Sequence, residues 1–104
     1  MNEPETLCRF LLQKFPDKLI PDQYGCRDSR NSSRIREDDE DMGFTVREPF
    51  DAEDLRKAIS DFYEAQGLNV KLYHKSFWLE KNGEIHKFVT ITYDRNRLKI
   101  SVKS

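Results

Sequence analysis

The sequence predicts an α+β domain in which a helix packs on an antiparallel meander. Three observations carry this: a capped amphipathic helix after Asp51, hairpin signals at Asn82-Gly83 and Arg95-Asn96, and apolar alternation around those turns. The predicted order is an N-terminal helix, a mobile charged loop, then strand–helix–strand–strand–strand. At 104 residues the chain suits one domain with one modest core. Its divisions are the N-terminal helix and loop over 1–26, the charged loop over 27–42 and a β-α-β-β-β unit over 43–104.

Glu5 to Phe15 reads as the first helix. Pro4 suits a first helical turn, and Glu3 and Glu5 suit the positive end of the helix dipole. Leu7, Cys8, Leu11, Leu12 and Phe15 form an apolar stripe at helical spacing, with Phe10 at its margin. Pro16 stops the helix, and Leu19 and Ile20 are expected to anchor a loop on the core. Over Arg27–Asp41, Ile35 is the only large apolar residue, too little to offset the entropy of ordering. Its Arg/Ser cluster could serve as a phosphorylation site or a nucleic-acid arm, and its acidic run as a hard-cation site. Neither has specific spacing, and a solvated loop is the favoured reading.

Phe44, Val46, Glu48 and Phe50 alternate with polar residues, predicting a strand over Gly43–Phe50 that ends near a sheet edge at Pro49. Asp51 then caps the second helix, with Glu53 and Asp54 in its acidic first turn. Leu55, Ala58, Ile59, Phe62 and Tyr63 follow the helical period. Glu53 and Lys57 make a favourable i,i+4 pair, and Gly67 is the expected terminator.

Asn82-Gly83 is a strong two-residue hairpin signal because both positions need positive φ. Pairing Lys81 with Glu84 sets Trp78 opposite Lys87, His74 opposite Ile91 and Leu72 opposite Tyr93. Pairing Asp94 with Arg97 sets Tyr93 opposite Leu98, Ile91 opposite Ile100 and Val89 opposite Val102. The core face is then Val70, Leu72, His74, Trp78, Ile85, Val89, Ile91, Tyr93, Leu98, Ile100 and Val102. The opposite face carries Tyr73, Phe77, Leu79 and Phe88 among Lys71, Lys75, Lys99 and Lys103, with Phe77 opposed to Phe88.

Three readings of that second face compete. The first helix could lie across Phe77, Leu79 and Phe88 as a small second core. The exposed rings could anchor a protein partner. They could also stack with bases of single-stranded nucleic acid while lysines meet phosphates, although no RNP-type motif is present. Charge asymmetry fits an anionic partner or simple neutralisation within the fold: Leu68–Ser104 has eight bases and three acids, a net +5, leaving −6 elsewhere in a chain of net −1.

Catalysis is poorly supported, since His74 and His86 fall on opposite predicted faces and no nucleophile, phosphate-loop or metal motif occurs. Cys8 reads as a buried thiol rather than half of a Cys8–Cys26 disulfide, because nothing in the sequence indicates secretion. No apolar run is long enough to span a membrane. The sequence therefore predicts a cytoplasmic, non-catalytic binding module, without cofactor or metal, acting as an adaptor, inhibitor or accessory subunit. Its expected partner is a protein, held by Lys71, Tyr73, Lys75, Phe77, Phe88, Lys99 and Lys103 or by an edge strand. Single-stranded nucleic acid is the alternative partner, and dimerisation through an exposed Leu98–Val102 edge is open.

Overall fold

The computed structural model describes residues 7–22, 40–73 and 76–103. Among them the order is α1 (Leu7–Lys14), β1 (Leu19–Pro21), β2 (Glu40–Val46), α2 (Ala52–Glu64), β3 (Asn69–Tyr73), β4 (Ser76–Lys81), β5 (Glu84–Asp94) and β6 (Arg97–Lys103). The strands form one six-stranded sheet in the order β1-β2-β6-β5-β4-β3. Every pairing is antiparallel. The α+β class, with a helix before the strands and a second helix packed on an antiparallel sheet, is therefore what the sequence predicts.

Local chemistry explains α2. Asp51 has extended backbone, and its side chain accepts from Glu53 N at 2.9 Å. Glu53 and Asp54 lie in the first turn, where the dipole favours acids. Glu53 pairs with Arg56 rather than Lys57. The helix ends as Leu68 N donates to Tyr63 O at 3.2 Å and Gly67 takes φ +87°. Leu55, Ala58, Ile59 and Tyr63 are buried. From α1, Leu7, Cys8 and Leu11 join the same core, and Phe10 meets Phe62 at 4.9 Å between ring centroids. Both helices therefore contribute to one apolar layer, and α1 does not build a second core.

Several strand expectations are corrected. Leu19 and Ile20 belong to β1, not to a loop: Leu19 pairs with Val46 and is buried. The second strand runs Glu40–Val46, so it begins inside the segment expected to be a loop and ends before Pro49. Met42 explains this shift, because it sits opposite Ile100 and is 3% exposed. The rest of the charged loop lies outside the described residues. β2 lies between β1 and β6, which removes Leu98–Val102 as a free edge.

The larger correction concerns β3 and β4. The expected single strand is two, since β3 pairs antiparallel with β4 and Tyr73 sits opposite Ser76. A second irregularity follows in β5. Leu79 pairs with Lys87 but Glu80 pairs with Ile85, so His86 is an extra residue in a bulge. The Lys81–Glu84 pair survives, and Asn82 and Gly83 have the expected positive φ values of 55° and 82°. The bulge reverses the faces beyond it, so Trp78 pairs with Phe88 and Phe77 with Val89. The second hairpin keeps its predicted register throughout, with Arg95 at φ 58°.

Phe77, Leu79, Val89, Leu98, Ile100 and Val102 consequently share the buried face with Met42, Phe44 and Val46. Cys8 is buried as expected, at 2% exposure, but it is disulfide-bonded rather than a free thiol. Cys26 lies outside the described residues. No helix among the described residues is long and apolar enough to cross a membrane.

Candidate functional site

The sheet face turned away from the helices carries an aromatic ladder. Cross-strand pairing aligns Lys71, Trp78, Phe88 and Lys103 in one row over β3, β4, β5 and β6. Tyr73 lies diagonally beside Trp78, their ring centroids 5.1 Å apart. Trp78 meets Phe88 edge-to-face at 5.8 Å. Tyr73 is 57% exposed, Phe88 41% and Ile85, on the same face beyond the bulge, 43%. Trp78 is half-buried between its neighbours. The result is a fixed apolar strip with a lysine at each end of its central row.

Each expected site residue can now be placed. Lys71, Tyr73, Phe88, Lys99 and Lys103 lie on this face, as predicted. Phe77 does not. It is 3% exposed in the core, because the pairing of Tyr73 with Ser76 and the bulge at His86 invert the face of β4. Lys75 and His74 lie outside the described residues. Trp78 and Ile85 were missed by sequence reasoning, which assigned both to the core. One signal was present: β4 presents two apolar residues, Phe77 and Leu79, on one side against Trp78 alone on the other. Burying the pair removes more apolar area from water.

The electrostatics are mixed. Lys71 Nζ is 2.7 Å from Glu80 Oε2 on the same face. Asp41 pairs with Ser101, which puts its carboxylate diagonally between Lys99 and Lys103. Asp41 Oδ1 is buried and has no hydrogen-bond partner among the described residues. The lysines therefore border the rings without making a uniformly basic face.

A separate polar contact closes the far end of the sheet. The Tyr93 hydroxyl donates to Glu48 Oε1 at 2.9 Å, and Glu48 Oε2 accepts from Phe50 N at 3.1 Å. The Tyr93 and Phe50 rings are nearly parallel, at 7° and 6.4 Å. Partial desolvation, then the hydrogen bond to Glu48 and its negative charge, raise the Tyr93 pKa above the ordinary 10.0. A raised folded-state value means stability that is present below the unfolded-state value and lost as pH rises through the folded one. Wild type is therefore expected to lose its melting advantage over Tyr93→Phe from about pH 10 upward. A constant difference between the two melting curves across that range would refute the coupling.

No protein-family model matches the chain, and no curated protein or solved structure is significantly similar to it.

Proposed function

We propose that the chain is a small non-catalytic binding module that docks a protein partner on its open sheet face. The observation that supports this is the Tyr73–Trp78–Phe88 ladder, an aromatic strip left outside the core and flanked by lysines. Flat aromatic area is the chemistry of docking, and buried aromatic anchors typically carry a large share of interface energy. Its roles as adaptor, inhibitor or accessory subunit all use the same contact.

Trp78 is the only tryptophan, so its emission reports directly on anything seated there. A photo-crosslinker at position 88 would trap the partner, which is then purified and titrated while Trp78 emission is followed. Phe88→Ala is expected to weaken that binding at least about tenfold, the scale of a hot-spot residue. Undiminished affinity in Phe88→Ala would overturn the reading. Single-stranded nucleic acid remains the second reading, on the strength of Lys103, which pairs with Phe88 at the end of the ring row. It requires Trp78 quenching by homopolymer strands that fades steeply with salt.

A further inference from the structure

We propose that two copies of this chain associate through the β3 edge, joining their six-stranded sheets into one. The two edges of the sheet differ. β1 has three residues and ends in Pro21, which cannot donate to a ladder. β3 has five residues without proline, and no strand among the described residues pairs on its outer side. It also holds the two most exposed large apolar side chains among the described residues, Leu72 at 59% and Tyr73 at 57%. Leu72 lies on the helix side, opposite Phe77, and Tyr73 on the open side. An added strand would cover both, which no addition at β1 could do.

The occupant follows from self-complementarity. In a two-fold antiparallel pair with both helix layers on one side, Leu72 can face its own copy across the axis. Lys71 of each chain then faces Tyr73 of the other, a cation-over-ring pairing with no like charges opposed. A lysine on an edge strand ordinarily discourages pairing, but the charge of Lys71 is balanced by Glu80 at 2.7 Å. This arrangement also sets the two Tyr73–Trp78–Phe88 ladders end to end. The inference thus extends the docking surface proposed above, and resting partly on that reading it still has its own readout, because association is measured without any partner.

A contact of one short strand is small, so the dimer is expected to be weak, assembling between roughly 10 µM and 1 mM. Sedimentation equilibrium of the purified chain should show the average mass rising from one chain toward two over that range. Leu72→Asp should raise the dissociation constant at least about tenfold, with an unchanged far-ultraviolet spectrum because the side chain is exposed. Ile20→Asp, at the opposite edge, should leave association unchanged. A monomer at every concentration overturns the proposal and leaves the edge to an extended segment of another protein. Equal loss in Leu72→Asp and Ile20→Asp overturns it as well, since the contact would not be at β3.

Discussion

Val89→Asp is expected to remove much of the stability of the fold at 25 °C. Val89 is fully buried between its cross-strand partners Phe77 and Val102. An aspartate there would enter an apolar layer, and no basic group occupies either directly paired position. Burying it charged, or holding it protonated, costs several kcal/mol. A domain of this size has only about 5–15 kcal/mol in total, so such a loss removes much of the stability. Thr90 is the adjacent control. It is exposed and faces away from the helices, so Thr90→Asp should cost at most about 1 kcal/mol. Circular dichroism melts of the two variants provide the comparison, and similar losses would show that the strand's faces are misassigned.

Phe77→Ala and Phe88→Ala should differ sharply, although the two rings look equivalent in sequence. Phe77 is 3% exposed and packed in the core, so truncating it loses transfer energy and leaves a cavity, about 3–5 kcal/mol together. Phe88 is 41% exposed. Its removal forfeits mainly the edge-to-face contact with Trp78 at 5.8 Å, about 0.5–1.5 kcal/mol. Urea denaturation resolves a difference of that size. The opposite ranking would place the bulge elsewhere in β5.

These two rings mark where the sequence stops being legible. The second helix is readable because its cap, stripe and terminating glycine agree. The β5–β6 hairpin is readable because uninterrupted alternation on both strands meets at one turn. The reversal of direction from β3 to β4 gives no such sign: His74 and Lys75 are not turn-forming types, and alternation runs through them in the sequence. The bulge at His86 is equally silent, because one extra residue changes parity without changing composition. The two features compensate each other. Lys71 and Tyr73 on one side, and Phe88, Lys99 and Lys103 on the other, keep their predicted face, while Ser76 to Ile85 between them is inverted. That is why most of the candidate surface is recoverable and its central residue, Trp78, is not. β1 escapes for a different reason, as three residues are too few to show a period.

With both described helices on one flank, the sheet divides its labour between sides. Residues such as Ile100 and Val102 answer to packing, whereas alternate neighbours such as Lys99 and Ser101 answer to little within the monomer. Recognition properties can therefore drift under selection at alternate positions of a strand while its structural half stays fixed. A scaffold built this way can exchange one clientele for another without passing through an unstable ancestor.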